Sequence, residues 1–516
     1  MKKSCLALAL LLACAGMASA QGSQEKSQGD GSSKPIDVEM WYQALHSEVG
    51  PLPKDWVGYQ IIKDRLNINL TCNSLPTNPA DQDMKIQAAA AADQLPDFFA
   101  TGREVFLNLV RDGMVADVTD LYQYMPNRVA NQFDEEAIAY SSVDGRSYGF
   151  ATPSSIRRNE GLLIRKDWLD NLGLKEPKTL DELYEVLRAF TYDDPDGNGR
   201  KDTYGFGAFV QTNTYESYPG RRFEPIMGAF GVEGCWDMHE SSFGLMIHKP
   251  EFYDFMVFMR KLIAEGLVDP NWMAYKKDDF RAAWKQGKFG VFREQYAAYS
   301  AMNNYAPFDA NFPNGDFIVA DAPIGPAGKS SIGPEVSQKR IMCISSKSAD
   351  KGPAIAKMFE WFNHGEGYHL LGWGVEGVNY TMKDGLHYNI PGDLGYEGPV
   401  GQTYTQLGNI AFNYNEENPS DIYEAPTSHK TMNTHDVLVK MQSKKWTSTP
   451  GQGMMPNPTT DLKSFYEHSL AQFLSGNIEL TPASWDKFIK QFDNMGGKDW
   501  EQKGYEYAKA NNFLQK

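Results

Sequence analysis

Short apolar runs alternate with segments of helical spacing along almost the whole chain, and this alternation restricts the fold to the α/β class. IDVEMWY at residues 36–42 and NINLTC at residues 67–72 have the pattern of strands, and a helical segment lies between them. GLLIRKDWLDNLGL at residues 161–174 has a strand that enters a helix. Strands that alternate with helices predict parallel sheets covered on both faces. The 516 residues are enough for two large domains or three smaller ones.

The first 20 residues have the features of an export signal, since two lysines precede an apolar run too short to span a bilayer. The sequence offers two alternative cleavage sites for this signal. Leu11–Cys14 resembles a lipobox, which would leave Cys14 lipid-modified, whereas Ala18–Ala20 fits an ordinary signal-peptidase site. Residues 21–35 are polar and rich in Gly, Ser and Gln, which predicts a flexible tether and favours the anchored form. We expect a lipoprotein at the cell surface or in the periplasm, or otherwise a soluble periplasmic protein.

The net charge argues against a nucleic-acid-binding protein, and the cysteine content argues against a fold held by disulfides. The formal net charge is −16, so the chain is not expected to bind nucleic acid. Beyond the signal only Cys72, Cys235 and Cys343 remain, an odd number at wide spacings that gives no disulfide framework. The 11 Trp and 26 Tyr residues indicate a surface that stacks on a ligand.

A metal-binding pattern occurs in DDPDGNGRKDTYG, residues 193–205. If Asp194 is position 1 of a calcium loop, positions 3, 5, 7 and 9 are Asp196, Asn198, Arg200 and Asp202. Calcium takes oxygen ligands from alternate positions of a tightly curled backbone, and position 7 contributes its carbonyl. Position 12 should be Glu but is Gly205. The alternative is a polar turn that binds nothing.

The segments on either side of this loop indicate what the ion would do. Thr179 and Glu182 have the spacing of a capping box at the start of a helix that enters the loop. TYGFGAFV after the loop has the pattern of a strand. One helix, a loop and a strand do not form a calcium sensor. The sequence therefore predicts structural Ca²⁺.

Four stretches resemble a known family. They are LPDFFATG at residues 95–102, the segment 144–205, GWGVEGVNYTMKDG at residues 372–385, and the segment 483–510. Together they resemble family 1 extracellular solute-binding proteins, the capture components of ABC importers. Residues 36–516 follow that family in order, and the calcium loop is similar to that of alginate-binding and other oligosaccharide-binding members.

The resemblance implies two α/β lobes of the type II periplasmic-binding-protein fold, with a hinge between them and the ligand held in the cleft. We expect residues 36–153 plus 288–340 to form the N-terminal lobe. Residues 154–287 plus 341–516 would form the C-terminal lobe, which carries the calcium loop. Crossings between the lobes are expected near residues 151–155, 287–292 and 332–344.

Candidate ligand-binding residues are those that end a strand, follow an expected crossing or lie in the loop at residues 372–385. They are Trp41, Tyr42, Arg157, Arg158, Arg293, Gln295, Tyr296, Trp373 and Glu376. Aromatic faces suit sugar rings, and polar groups orient hydroxyls. One of the two adjacent arginines at 157 and 158 could pair with a carboxylate. Some of these residues have ordinary alternatives, namely core aromatics for Trp41, Tyr42 and Trp373, surface charges for Arg157 and Arg158, and a loop-ordering hydrogen bond for Glu376.

We expect no catalysis. No GxSxG motif is present, and His364 and His369 do not have HExxH spacing. The expected function is a monomer that captures an oligosaccharide and passes it to the membrane permease subunits of an ABC importer. The alternatives are a glycoside hydrolase, whose cleft would also contain aromatics and carboxylates, and a peptide or sugar-acid binder on the same fold.

Overall fold

Two sheets organise the fold between Ile36 and Lys516, which form one compact unit. The computed structural model describes residues 34–43, 51–76, 78–131, 135–151, 159–212, 217–334, 340–383, 386–390, 406–407, 410, 422–425, 427–449 and 451–516. The strands are β1 Ile36–Tyr42, β2 Ile68–Ser74, β3 Phe98–Thr101, β4 Ser142–Val143, β5 Arg146–Ser147, β6 Phe150–Ala151, β7 Glu160–Arg165, β8 Tyr204–Gly207, β9 Trp236–Asp237, β10 Gly244–Leu245, β11 Phe289–Gln295, β12 Phe317–Ala320, β13 Ile341–Ile344, β14 Tyr380–Lys383, β15 Leu386–Asn389, β16 Ile422–Ala425 and β17 Lys430–Asn433.

Helices follow or separate most of these strands. They are α1 Val57–Leu66, α2 Pro79–Ala91, α3 Arg103–Arg111, α4 Pro126–Asn131, α5 Glu135–Tyr140, α6 Lys166–Asn171, α7 Leu180–Tyr192, α8 Glu224–Phe230, α9 Pro250–Ala264, α10 Lys277–Lys285, α11 Tyr296–Ser300, α12 Met302–Asn311, α13 Gly352–Trp361, α14 Gly365–Gly372, α15 Thr434–Gln442, α16 Thr460–Ser475, α17 Pro482–Phe492 and α18 Lys498–Ala510. No helix in the described ranges is both long enough and apolar enough to cross a bilayer.

The first lobe is built on a sheet with the order β2–β1–β3–β13–β6. Strands β1, β2 and β3 are parallel, whereas β13 runs antiparallel to both β3 and β6. The sheet is therefore mixed, and the prediction of parallel sheets is wrong for β13. Its core contains apolar side chains from β1, β3, β13, α3, α13 and α14, so the strands are covered by helices.

The second lobe is built on a sheet with the order β12–β7–β11–β8. Neighbouring residues of β7 point to opposite faces, as strand geometry requires. Leu162 and Ile164 lie in one core with α7, α8, α9 and the C-terminal helices, whereas Leu163 lies in another core with α10 and α12. Because both faces are covered, β7 has a continuous run of buried residues.

Strand pairing places two segments in the opposite lobe from the one predicted. Residues 288–340 were assigned to the N-terminal lobe, but β11 and β12 pair with β7 in the second sheet. Ile341–Ile344 was assigned to the C-terminal lobe, but it pairs with β3 in the first sheet. The physical reason is the apolar run at 289–292: Val291 packs into one core of the second lobe and Phe292 into the other. No crossing lies at residues 287–292.

The capping box predicted at the start of α7 is confirmed, and α9 is followed by a glycine of positive φ. Thr179 and Glu182 form a reciprocal capping box at the start of α7. Gly266 has a positive φ directly after α9, and its N–H donates to the carbonyl of Ile263 at 3.0 Å. These signals act within one helical turn, so they depend little on the rest of the fold.

Candidate functional site

The crossings between the lobes join one edge of each sheet. Ala151 ends β6 in the first sheet and Glu160 begins β7 in the second, so the chain crosses within residues 152–159. It returns between Pro334 and Ile341, where β13 begins. These positions agree with two of the three expected crossings. Ligands of open α/β sheets bind outside the carboxyl ends of strands, so the crossings mark where to look for the site.

We call the crossing side of the first sheet the first edge. It contains the last residues of the parallel strands β1, β2 and β3, which are Tyr42, Ser74 and Thr101. The second edge is the corresponding side of the second sheet. It contains the first residue of β7, Glu160, and the last residue of β11, Gln295, which are paired across the two strands. Strand β8 runs parallel to β11 and also ends there.

Trp41 at the first edge is half-buried and has polar and charged neighbours. Its indole N–H donates to Oε1 of Glu39 at 2.8 Å, and Asn73 donates to the same oxygen at 2.8 Å. Nζ of Lys85 lies 4.6 Å from the centroid of the Trp41 ring and donates to the carbonyl of Ser74 at 3.2 Å. This aromatic ring with a cation beside it supports Trp41 as a ligand-binding candidate.

Tyr42 points to the opposite face of β1 and is fully buried in the first core. Its hydroxyl accepts a hydrogen bond from the backbone N–H of Leu52 at 3.0 Å. Burial raises the pKa of Tyr42, as expected for a phenol away from water. The position therefore corresponds to the core-aromatic alternative and does not support a role in ligand binding.

Trp373 also lies in the interior, with 1% of its surface exposed. It directly follows α14, and its ring centroid is 6.0 Å from that of Tyr380. Glu376 in the same loop is exposed. Burial raises the pKa of Tyr380, and the negative charge of Glu376 raises it further. Glu376 is accessible to a ligand, whereas the position of Trp373 does not support the predicted stacking role.

The second edge contains a group of charged side chains that we call the arginine–glutamate cluster. Its members are Glu160, Arg221, Arg222, Glu224, Arg281, Arg293 and Glu294. Glu160 is its centre: its carboxylate lies 3.3 Å from Nη1 of Arg221, 3.6 Å from Nη1 of Arg222 and 3.1 Å from Nε of Arg293. Three guanidinium groups therefore surround one buried carboxylate.

Glu294 organises the rest of the cluster. It is fully buried, and its carboxylate accepts hydrogen bonds from Arg222 at 3.3 Å and from Nε of Arg281 at 3.1 Å. Glu224 pairs with Nη1 of Arg293. The main chain takes part too, since the carbonyl of Arg293 accepts a hydrogen bond from Arg222 at 2.8 Å. These contacts fix the side chains in one arrangement.

The arginines keep the cluster carboxylates ionised. Burial alone would raise the pKa of Glu160, but the charges of Arg222, Arg293 and Arg221 outweigh it and lower the pKa to about 2. The pKa of Glu294 is also lowered, because Arg222 and Arg281 outweigh its burial. A buried carboxylate without such partners would be strongly destabilising. The carboxylates of Glu160 and Glu294 are therefore held in the ionised form.

Three predicted residues lie at or beside this cluster. Arg293 is buried within it and pairs with Glu160 and Glu224, so its charge is used internally. The side chain of Gln295 caps α11 by accepting a hydrogen bond from the N–H of Ala298 at 3.2 Å. Tyr296 is half-buried at the start of α11. Arg157 and Arg158 lie outside the described residues.

Sequence reasoning missed most of the cluster. The signal that could have found it is the run Arg221–Glu224, in which two adjacent arginines and a glutamate follow Gly220 in an acidic chain. Glu160 is equally hard to recognise, because it opens a strand that is otherwise apolar. The antiparallel pairing of β7 with β11 brings these residues together, and no local sequence pattern specifies that pairing.

The predicted calcium loop lies in the second lobe between α7 and β8. Gly197 and Gly199 have positive φ and allow the chain to curl. The carboxylate of Asp194 accepts hydrogen bonds from the N–H of Asn198 at 3.1 Å and of Gly199 at 3.0 Å. Nδ2 of Asn198 lies 2.8 Å from Asp196 and 3.3 Å from Asp202. Arg200 is exposed, and its N–H donates to Oδ1 of Asn198 at 2.7 Å.

The electrostatics of this loop fit a divalent cation. Burial raises the pKa of Asp196, and the nearby negative charges of Asp202 and Asp194 raise it further. Three carboxylates this close together repel one another, and a hard cation would relieve that repulsion. Within the described ranges no group of three or more His, Cys, Asp or Glu side chains is already arranged as a metal site. The fit of this loop to calcium therefore rests on the oxygen atoms that its residues can donate to the ion.

Gly205 explains why the twelfth position lacks a glutamate. A Cβ at this residue would lie 2.3 Å from the carbonyl oxygen of Leu187, so β8 could not pack against α7 with any side chain there. Gly205 donates its N–H to the hydroxyl of Thr191 at 2.9 Å instead. A closing carboxylate from position 12 is excluded by packing.

Comparison with known proteins identifies the family. The family model for bacterial extracellular solute-binding proteins matches residues 59–362. The chain belongs to this family. The two-lobed α/β fold expected from the sequence is thereby confirmed, and the family consists of binding proteins.

Two curated relatives of this solute-binding protein come from Bacillus subtilis (strain 168). The polygalacturonan/rhamnogalacturonan-binding protein YtcQ is 24% identical over an alignment of 538 positions that covers 98% of each chain. Lipoprotein LipO is 31% identical over 265 residues, which cover 50% of this chain and 51% of LipO. YtcQ therefore matches over nearly the full length.

Solved structures share the fold of this solute-binding protein. The Streptococcus pneumoniae ABC-transporter substrate-binding protein FusA, in complex with kestose, superposes with a TM-score of 0.66 at 18% identity, covering 92% of this chain and 99% of FusA. Alginate-binding protein AlgQ2 without calcium ion gives a TM-score of 0.65 at 18% identity, covering 92% of this chain and 98% of AlgQ2. At these identities the likeness concerns the fold alone.

Proposed function

We propose that the protein captures an oligosaccharide outside the cytoplasm and delivers it to the membrane permease subunits of an ABC importer. The observation that carries this proposal is the pair of polar, partly aromatic edges that the crossings join, with Trp41 on one and Gln295 and Tyr296 on the other. Family membership supports it, as do the saccharides in the names of YtcQ and of the FusA complex. The lobes would close over the ligand about the crossings.

A thermal-shift screen tests this function. A ligand that binds only the folded protein raises the melting temperature by mass action, by an amount that grows with its concentration. We expect at least one neutral or acidic oligosaccharide to produce such a rise and peptides to produce none. Release of reducing ends from any polysaccharide would instead favour the hydrolase alternative. A rise with peptides alone would overturn the oligosaccharide assignment.

We further propose that the loop at residues 194–202 holds a structural Ca²⁺. Its ligands would be the carboxylates of Asp194, Asp196 and Asp202, the side-chain oxygen of Asn198 and the carbonyl of Arg200. When bound, the ion supplies positive charge that joins the end of α7 to the start of β8. Solved relatives support this proposal, since calcium is named for AlgQ2 and an EF-hand for FusA.

Chelation tests the calcium proposal. A chelator is expected to lower the melting temperature of the wild-type protein, because the ion stabilises only the native loop. Asp194→Asn and Asp196→Asn should melt at the lower temperature with or without chelator. Asp193→Asn, an exposed neighbour outside the ligand set, is the matched control and should respond like wild type. An unchanged wild-type melting curve in excess chelator would overturn the proposal.

We also propose that lipid on Cys14 anchors the protein, with residues 21–35 as the tether. LipO, a lipoprotein by name, supports this form. These residues lie outside the described part of the chain. Cys14→Ala is expected to release the protein from membranes. Soluble wild-type protein that begins at Gln21 would establish cleavage after Ala20 instead.

A further inference from the structure

We propose that Trp446 is the aromatic contact of the second lobe with the bound oligosaccharide, as Trp41 is that of the first lobe. This inference rests on the proposed function and adds to the same site a residue outside the predicted ligand-binding set. It follows from the position of Trp446 beside the return crossing and from three features that it shares with Trp41.

Trp446 lies beside the last residues of the second lobe before the chain returns to the first. The N–H of Thr447 donates to the carbonyl of Gly333 at 3.0 Å, and the N–H of Ile332 donates to the carbonyl of Lys445 at 2.8 Å. The segment that contains Trp446 therefore runs alongside the chain up to the return crossing. Ligands of two-lobed proteins are held where the lobes meet, so this position is suited to a ligand contact.

Gly333 allows the crossing segment to lie against the arginine–glutamate cluster. A Cβ at this position would lie 2.3 Å from Oε2 of Glu224 and 3.0 Å from Nη1 of Arg293. Its φ is also positive, which side chains disfavour. Trp446 is thereby placed next to the cluster, and the guanidinium carbon of Arg293 lies 5.5 Å from the centroid of its ring.

The contacts of Trp446 fix the orientation of its ring. Its indole N–H donates to the carbonyl of Met441 in α15 at 3.0 Å. Arg293, which lies over the ring, is itself held by ion pairs with Glu160 and Glu224. Because the ring is oriented before a ligand arrives, little side-chain freedom is lost when the ligand binds.

Trp41 at the first edge has the same three features. Both tryptophans are half-buried, both donate the indole N–H to an acceptor within the protein, and both have a cation over the ring. A tryptophan whose N–H is already bonded offers its remaining hydrocarbon surface to a partner. Such a surface suits the C–H face of a sugar ring, so each lobe would contribute one flat apolar contact.

The distribution of tryptophans supports this pairing. All eleven lie in the described ranges, and eight of them are buried. Only Trp41, Trp361 and Trp446 are half-buried. Trp361 ends α13 and packs against the core of the first lobe, whereas the other two lie beside the edges that the crossings join. Trp361 is therefore a matched control of the same residue type and similar burial.

Calorimetric titration of the full chain tests this proposal. The probes are a pool of linear di- to hexasaccharides of glucose, fructose, galactose, mannose, xylose and galacturonic acid, and the member that wild-type protein binds most tightly is titrated. Trp446→Ala should lower the affinity for this saccharide at least tenfold. Trp446→Phe keeps a flat apolar ring and should bind it with intermediate affinity. Trp361→Ala should leave the affinity unchanged.

The melting temperatures of these variants separate recognition from packing. Trp446→Ala should lower the melting temperature no more than Trp361→Ala does, because both side chains are half-buried. Oxidative footprinting of the wild-type protein, read by peptide mass spectrometry, needs no variant that folds. The bound saccharide should protect Trp41 and Trp446 from oxidation and leave Trp361 as reactive as before.

The outcomes distinguish this inference from the proposed function. Normal affinity of Trp446→Ala, or unchanged oxidation of Trp446 when the saccharide is bound, would overturn the inference and leave oligosaccharide capture intact. A large fall in melting temperature with normal affinity per folded molecule would assign Trp446 to the packing of the second lobe instead. Binding of no member of the pool would overturn the proposed function as well.

Discussion

The two edges that the crossings join are built from different interactions. At the first edge the half-buried carboxylate of Glu39 accepts hydrogen bonds from neutral donors, the indole of Trp41 and the amide of Asn73. At the second edge the fully buried carboxylate of Glu294 is held by the guanidinium groups of Arg222 and Arg281. We expect the first edge to tolerate the loss of a partner better than the second edge.

The difference shows how burial changes the meaning of a polar residue. A partly solvated hydrogen bond can be replaced by water, so its net contribution is about 1 kcal/mol. A buried charge that loses its partner has no such replacement, and the cost is about 3–5 kcal/mol. We therefore expect substitutions at the second edge to cost more stability than substitutions at the first edge.

The strongest test of this contrast is a pair of charge-removing substitutions. Glu294→Gln removes the buried charge that pairs with the buried guanidinium of Arg222 and the partly exposed one of Arg281, and should lower the free energy of unfolding by about 3–5 kcal/mol. Glu39→Gln at the first edge should cost about 1 kcal/mol or less, because an amide oxygen can still accept from neutral donors. Denaturant unfolding of both variants measures the difference. Equal costs would remove the contrast between the edges.

The next largest effect distinguishes the buried Trp373 from the half-buried Trp41. Trp373→Ala should lower the free energy of unfolding by about 3 kcal/mol, because it removes a fully buried side chain. Trp41→Ala should cost less stability but weaken oligosaccharide binding at least tenfold. Measuring the melting temperature and the ligand affinity of each variant checks both statements. Normal affinity of Trp41→Ala would exclude this residue from the site.

The smallest expected effect concerns His248, a partly buried residue whose ring contacts two carboxylates. Nδ1 of His248 lies 2.7 Å from Glu501, and Nε2 lies 3.0 Å from Asp493, which also faces Lys498 at 3.6 Å. Burial alone would lower the pKa of His248, but the two carboxylates outweigh it and raise the pKa. The same contact lowers the pKa of Glu501 despite its burial.

The sign of the resulting pH dependence follows from the raised pKa. The imidazolium contributes its full stabilisation below the unfolded pKa of about 6.5 and loses it as pH rises through the higher folded pKa. Relative to His248→Gln, the wild-type protein should therefore lose about 1 kcal/mol of stability on going from mildly acidic to alkaline pH. Unfolding curves of both proteins across this range provide the measurement. A parallel pH dependence in the two proteins would contradict it.

Local sequence patterns predicted the elements better than their partners. The capping pair Thr179 and Glu182 and the alternation in Ile36–Tyr42 each act within a few residues, and both were found as expected. The sheet to which Phe289–Gln295 belongs depends on pairing with β7, more than a hundred residues earlier, and was assigned wrongly. Hydrophobic period alone could not decide between the two sheets.

Less of the candidate site than of the fold could be predicted from the sequence. Trp41 was proposed because ligands of open α/β sheets bind beyond the carboxyl ends of strands, and its role stays a prediction. Its neighbour Tyr42 could not be separated from it by sequence, since only the pleat decides which of two adjacent residues faces the core. The arginine–glutamate cluster required the register in which Glu160 lies opposite Gln295.

The strand order also has a consequence for how the protein is made. The first sheet is completed by Ile341–Ile344, which pairs with Phe98–Thr101 across all the strands of the second sheet. The second core in turn includes side chains from Thr460–Ser475 and Pro482–Phe492. Pairings between such distant segments are slow to form, and an incomplete sheet has an open edge. We therefore expect that neither lobe folds by itself and that both are complete only when the C-terminal helices are in place.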